Sequence, residues 1–258
     1  MKNDRRPPGE TAAPRRFVFL HGFTQTHHHW HDAADRLVRR VGARATSAFV
    51  DLPGHGLSAP NAGSSDIDRI GRELVLLAGA GTYIGYSMGG RCALVAAVTG
   101  DPRLERLVLI GATPGIENAT DRAERRRLDA ERAAHLEAVG LDRFLDEWLS
   151  LPMFAGLPDD GDALEQRRRN TIEGLADSLR HHGTGSQTPL WDHLGAIRVP
   201  TLVLAGALDT KFVEIGERMA ERIPDATFLT IERAGHAAHL ERPDETVESI
   251  TDWLERSD

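Results

Sequence analysis

An α/β fold is predicted: a mostly parallel sheet flanked by helices, with a helical insertion in the second half of the chain. Three observations carry it. Apolar runs of four to five residues alternate with helical patterns, as a sheet wrapped by helices requires. Polar or glycine-rich segments follow the run ends, where ligands bind in open α/β sheets. Between residues 116 and 191 the alternation stops and no convincing strand appears.

Residues 1–16 are rich in Arg, Pro and Gly, with no apolar stretch behind the arginines. They read as a disordered tail rather than a secretion signal. Phe17-Val18-Phe19-Leu20 is the first strand and ends on His21-Gly22-Phe23. Thr46–Val50 is the second, running into Asp51-Leu52-Pro53-Gly54-His55-Gly56. Residues 82–86 form the third and deliver Ser87; residues 107–110 form the fourth and lead into Gly111-Ala112-Thr113-Pro114-Gly115. Residues 201–204 form the fifth, reaching Asp209, and residues 227–231 the sixth, reaching Gly235-His236. Within the insertion, residues 121–137 are rich in Arg, Glu and Ala, which favours helix. Leu141, Phe144, Leu145, Trp148 and Leu149 recur at helical spacing, and residues 162–180 supply one or two more helices. A crossover of about 75 residues far exceeds ordinary connections. Residues 116–191 are therefore expected to form a helical cap on a core built from residues 17–115 and 192–258.

Composition narrows the function. A chain of 258 residues with 40% hydrophobic and 27% charged residues can bury one substantial core and a small subdomain. A net charge of −8 argues against nucleic acid and anionic membrane surfaces as partners. The triplets Arg125-Arg126-Arg127 and Arg167-Arg168-Arg169 do not change this, because residues 116–182 hold ten arginines against fifteen acidic residues. On a helix only one or two of three consecutive arginines can face a cleft. The single cysteine, Cys92, rules out an internal disulfide; it reads as a small core residue and fits a reducing, cytoplasmic setting. No apolar stretch approaches the ~20 residues of a membrane span. A monomer or small homo-oligomer acting on a small molecule is expected.

The chemistry centres on Gly85-Tyr86-Ser87-Met88-Gly89, a G-x-S-x-G pentapeptide between a strand end and a helix-like run. Such an elbow forces the serine onto a strained turn that exposes its hydroxyl and directs helix N-terminal N–H groups beside it. A serine hydroxyl needs a neighbouring imidazole, itself held by a carboxylate. Asp209 and His236 follow in that order, each just past a strand end. Alone, Asp209 could cap the helix that starts at Thr210, and His236 could be a buried structural histidine; the ordered set of three favours a triad. Gly235 is expected to let the chain turn so that the ring reaches the serine. The N–H groups of Phe23 and Met88 are expected to converge on one oxygen as an oxyanion site, although Gly22 would also serve a plain tight turn.

The histidines His27-His28-His29 and His31 invite a metal-binding reading. Adjacent histidines in an irregular segment cannot all face one ion, and no acidic or cysteine partner has zinc-like spacing. No metal is expected. His55 reads as a loop-shaping residue near the site, and His239 as a surface or supporting histidine.

Taken together, these motifs resemble the α/β-hydrolase superfamily from residue 17 to residue 254. The resemblance rests on His21-Gly22, on Asp51-Leu52-Pro53-Gly54-His55-Gly56-Leu57-Ser58 and on the elbow. More narrowly, the chain resembles the 2-succinyl-6-hydroxy-2,4-cyclohexadiene-1-carboxylate synthase family (MenH type). That likeness rests on Arg91 four residues after the serine, on Thr113-Pro114-Gly115-Ile116 with Arg122 to Asp129, on Glu147-Trp148 with Pro152-Met153-Phe154, and on Arg167 to Asn170. Gly183 to Gln187, Asp209-Thr210-Lys211-Phe212 and Ala234 to His239 extend it. The resemblance implies a lyase of menaquinone biosynthesis that needs no cofactor. It implies a carboxylated substrate held by Arg91, Arg125 and Arg167, with Tyr86 and Trp148 lining the pocket. Arg forks suit such carboxylates. Arg169 would take the place of Arg167 if the register slipped by two. The alternative is a hydrolase, either a carboxylesterase or a C–C bond hydrolase, acting on a small carboxylated substrate.

Overall fold

Strand order decides where this molecule can bind a ligand. The computed structural model describes residues 15–42, 44–58 and 66–257. Six strands, β1 (Arg16–Leu20), β2 (Thr46–Val50), β3 (Gly81–Tyr86), β4 (Leu104–Ile110), β5 (Thr201–Gly206) and β6 (Ala226–Ile231), form one sheet in the order β2-β1-β3-β4-β5-β6. Every pairing among them is parallel. The chain leaves β1 for β2 on one side and returns to place β3 on the other. That reversal opens a crevice at the carboxyl ends of β1 and β3, where His21-Gly22-Phe23 and Ser87 lie. The expected tail falls mostly outside the described residues; Arg16, its last residue, already belongs to β1.

Both faces of the sheet are covered, so the inner strands β3 and β5 are buried throughout, the pattern of a parallel sheet between helix layers. Side chains alternate between two apolar clusters. Val18, Leu20, Tyr83, Leu107, Leu109 and Val203 face α2 (Ile67–Ala78), α3 (Met88–Val98) and α8 (Thr210–Ala220). Phe17, Phe19, Ile84, Val108, Ile110 and Leu202 face α1 (His31–Val41) and the last helix, Pro243–Arg256. Cys92 is buried in the first cluster, as expected of a small core residue.

Between β4 and β5 come four helices: α4 (Ala119–Val139), α5 (Leu141–Leu149), α6 (Gly161–Arg167) and α7 (Ile172–His182). They carry their own apolar cluster of Ala133, Leu136, Phe144, Leu175, Ala176 and Leu179, onto which Phe23 of the core packs. These helices are held against the strand-end loops by close backbone approach. A β-carbon on Gly54, whose φ is +80°, would stand 2.5 Å from the Gly174 carbonyl oxygen. Asn170 latches the same contact: its Nδ2 donates to Thr24 O at 2.8 Å, and its Oδ1 accepts from Gly56 N at 2.9 Å.

Candidate active site

Ser87 sits at the turn from β3 into α3 with φ 49° and ψ −107°. A non-glycine residue held there stores about 1–3 kcal/mol of strain, and the surrounding backbone enforces it. Ser87 N donates to Ile110 O at 2.9 Å, and Ser87 O accepts from Arg91 N at 3.0 Å. The flanking glycines are required by space: a β-carbon on Gly85 would lie 2.6 Å from Gly90 Cα, and one on Gly89 would collide with the Leu20 carbonyl.

The serine meets its partners. His236 Nε2 lies 3.2 Å from Ser87 Oγ, and His236 Nδ1 lies 2.7 Å from Asp209 Oδ2. Asp209 is the residue before α8, yet its side chain makes no capping bond; it serves the imidazole instead. His236 is buried, while Asp209 is slightly exposed. Gly235 does not supply the turn that the sequence suggested. The left-handed residue of this loop is Arg233 at φ 57°. Glu241, one helical turn beyond Ala237, holds the loop by accepting from Gly235 N at 2.6 Å and Ala237 N at 3.0 Å. Rings of Phe212, Tyr86 and Phe154 stand 4.6, 5.3 and 6.3 Å from the imidazole, centroid to centroid.

Beside the serine, Met88 N–H opens α3, where no carbonyl of the helix is available to it. Neither it nor the Phe23 N–H donates to an acceptor among the described residues. Phe23 is held by edge contacts to His55 at 5.8 Å and Trp148 at 5.2 Å. His55 is buried, with Nδ1 3.2 Å from Pro53 O, the loop-shaping position expected of it. Trp148 is half-buried, stacks along Phe144 and approaches Phe154. Its buried Nε1–H has no protein partner among the described residues.

The arginines divide into two groups. Arg91 is 6% exposed. It donates to His182 O at 2.6 Å and Gln187 Oε1 at 3.1 Å, and it meets no carboxylate among the described residues. Burial, helped by the nearby Arg125 and opposed by the Cys92 and Asp129 side chains, pushes its pKa down to about 10. Arg125 lies on the same side, half-buried, with Nε 2.9 Å from Asp129 Oδ1. Its pairing with Asp129 makes it a shared cation rather than a free one. Arg167 is 4% exposed, donates to Thr24 Oγ1 and likewise lacks a carboxylate partner among the described residues. Burial pushes its pKa down to about 10, so it stays charged at neutral pH. Arg168 and Arg169 point to solvent, so the structure turns Arg167 inward.

Tyr86 lies beside Arg167 and is buried, which raises its hydroxyl pKa strongly. His239 is not a surface residue. It is fully buried, 4.4 Å from Tyr86 and stacked 4.3 Å from Trp30. Neither ring nitrogen has a partner among the described residues, and burial pushes its pKa down to about 3. Sequence reading also missed Thr24 and Glu241, and it quoted Asn170 and Gln187 within the family likeness without giving either a role. Thr24 left a trace in its place two residues after Gly22 on a strand-end loop.

The histidine-rich segment is regular rather than irregular. His27–Trp30 is a 3-10 turn that runs straight into α1. The turn brings ligand atoms of His27, His28 and His31 within 4.8 Å of one another. Regular backbone thus lets three neighbouring histidines face one point, with no acidic or cysteine residue in the cluster among the described residues.

Comparison with known proteins places the chain in a family. The model of the Alpha/beta hydrolase family matches residues 17–249. The 2-succinyl-6-hydroxy-2,4-cyclohexadiene-1-carboxylate synthase of Salmonella schwarzengrund (strain CVM19633) is 34% identical over 253 residues, covering 96% of each chain. The structure of MenH from S. aureus superposes with a TM-score of 0.88 at 33% identity, covering 96% of each chain. A malate-bound thermophilic esterase from Thermogutta terrifontis follows at TM-score 0.75 and 25% identity, covering 96% of this chain and 92% of that one. Among the described residues no helix is long and apolar enough to cross a membrane. The chain belongs to the alpha/beta hydrolase family and, within it, to the family of the 2-succinyl-6-hydroxy-2,4-cyclohexadiene-1-carboxylate synthases.

Proposed function

We propose that this protein is a carbon–oxygen lyase of menaquinone biosynthesis. It eliminates pyruvate from 2-succinyl-5-enolpyruvyl-6-hydroxy-3-cyclohexene-1-carboxylate to give 2-succinyl-6-hydroxy-2,4-cyclohexadiene-1-carboxylate. One observation carries this reading beyond the family: Arg91 and Arg167 are both buried around the triad without carboxylate partners among the described residues. A buried cation left unpaired is costly, and a substrate bearing several carboxylates relieves that cost. An esterase acyl pocket has no use for it.

Each group then has a task. His236, oriented by Asp209, draws the proton from Ser87, and the serine oxygen takes the proton from ring carbon 2, beside the succinyl ketone. The ketone oxygen becomes an enolate oxygen and is held by the N–H groups of Phe23 and Met88. Electrons return through the ring alkene, the bond from ring carbon 5 to the enolpyruvyl oxygen breaks as the diene forms, and pyruvate leaves as its enolate; the proton held by His236 balances that charge, the enolate becoming pyruvate and the imidazole returning to its neutral form. No acyl-enzyme and no cofactor take part. Arg91 with Arg125, and Arg167 with Tyr86, grip carboxylates on either side, and the free Trp148 Nε1–H supplies a further donor. The substrate is a small carboxylated molecule, and the enzyme works in the cytoplasm as a monomer or small homo-oligomer.

The test is pyruvate release from the cyclohexene intermediate by purified protein. Ser87→Ala should lower kcat about 10²–10⁴-fold, the usual worth of a positioned proton acceptor, with the fold intact. Brisk hydrolysis of p-nitrophenyl esters without pyruvate release would replace the lyase by a hydrolase using the same triad.

A further inference from the structure

We infer that His27, His28 and His31 form a binding site for a divalent transition-metal ion, separate from the triad, with Asp51 fixing the His27 ring. The backbone sets up the convergence. His28 and His31 are three apart across a 3-10 turn, where side chains at i and i+3 eclipse. His27 and His31 are four apart, the spacing of neighbours on a helix face. The 3-10 turn and the start of α1 therefore direct three imidazoles to one spot. Their ring centroids stand 4.1, 5.5 and 4.8 Å apart.

The ligand atoms lie within 4.8 Å of one another. Three nitrogens each ~2.1 Å from a tetrahedral ion sit about 3.4 Å apart, so small ring rotations close the set. His27 and His28 are half-buried and His31 is exposed, which leaves room for those rotations and for water in the fourth position.

The support behind the rings argues for a site rather than a chance cluster. Asp51 Oδ2 lies 2.8 Å from His27 Nδ1, and Asp51 Oδ1 accepts from His27 N at 2.7 Å. A carboxylate on Nδ1 fixes the tautomer that presents the Nε2 lone pair outward, the arrangement that ligating histidines commonly have. Asp51 is itself anchored, with Oδ2 accepting from Leu57 N at 2.9 Å. His31 is steadied at 4.8 Å by the edge of Phe49. Imidazole donors with open water positions suit Zn²⁺, Co²⁺, Ni²⁺ or Cu²⁺ rather than Mg²⁺ or Ca²⁺.

The experiment uses the full chain without an affinity tag, since a histidine tag would mask the site. Zn²⁺ binding is measured by calorimetric titration, and Co²⁺ binding by its visible absorption. One ion per chain is expected, with a rise in Tm as Zn²⁺ is added. His31→Ala and His28→Ala should each weaken binding at least tenfold while leaving metal-free turnover unchanged. Asp51→Asn, checked for folding by circular dichroism, should weaken it about 10–100-fold. Unchanged affinity in His31→Ala overturns the proposal. So does binding that is lost in His236→Ala but kept in His28→Ala and His31→Ala, which would put the ion on the triad.

Discussion

Asp209 shows how one side chain can satisfy two readings until its partner is seen. Its position before α8 suits a helix cap, but its oxygen goes to His236 at 2.7 Å. Asp209→Asn keeps the shape and offers the imidazole the wrong hydrogen-bonding partner. It should cost about 10⁴-fold in kcat, as the loss of the orienting carboxylate does in serine triads; a loss under tenfold would mean that the carboxylate is only a structural support. Arg91 makes a different prediction. It is buried, and among the described residues its hydrogen-bond partners are a carbonyl and an amide oxygen, so its charge meets no direct carboxylate partner there. Arg91→Met should hold or raise Tm, since an apolar side chain of similar volume removes that penalty. It should at the same time lower kcat/KM about 10–100-fold, the worth of a charge-assisted bond to a carboxylate. Thermal melts and steady-state rates on one preparation check both, and a fall in Tm with unchanged kcat/KM would refute the assignment.

Among the elements, the cap depends on a small latch. Asn170 ties the turn after α6 to Thr24 O and Gly56 N. Thr24 is a β-branched residue at φ 66°, a conformation that persists only when its surroundings impose it. The same threonine accepts from Arg167. Cap position, loop strain and cation placement are thus one unit. Asn170→Ala should cost about 1–3 kcal/mol by stranding polar groups, and should raise KM more than it lowers kcat. Urea melts with parallel kinetics test this, and an unchanged KM would show that Arg167 is placed without the latch. Periodicity made α4 and α5 legible, because Phe144 and Leu145 mark a buried face. It could not choose between Arg167 and Arg169. α6 ends at Arg167, so no helical phase extends across the triplet, and burial against Thr24 and Tyr86 decides. The histidine segment failed for a related reason. A 3-10 turn of four residues is too short to leave a periodic signal.

For the whole molecule, buried histidines set the response to acid. His21 and His239 are pushed down to about 4 and about 3 by burial, and His29 and His55 fall well below their usual value for the same cause. In the unfolded chain these rings take protons near pH 6.5; folded, they do so only at much lower pH. The unfolded state therefore binds more protons between pH 6.5 and 4. Stability is full above pH 6.5 and declines as pH falls through that window, by up to about 1.4 kcal/mol per pH unit for each group. Tm should be level from pH 8 to 7 and drop steeply from pH 6 to 5. His239→Gln should flatten the slope. A Tm that stays level from pH 7 to 5 would mean that these rings are protonated in the folded state.

From the residues alone came the strand ends, the elbow at Ser87, the order of Ser87, Asp209 and His236, and the helical insertion. Each is a local matter: strand and helix periods, glycine spacing and turn chemistry are written within a few residues. The tertiary structure decided which groups share a space. It brought Arg91 and Arg167 into burial without carboxylate partners among the described residues, placed His239 against Trp30 and Tyr86, and set Asp51 behind His27. These meetings join residues far apart in the chain. They depend on strand order and on the seating of the cap, which follow from packing both faces of the sheet at once rather than from any local pattern.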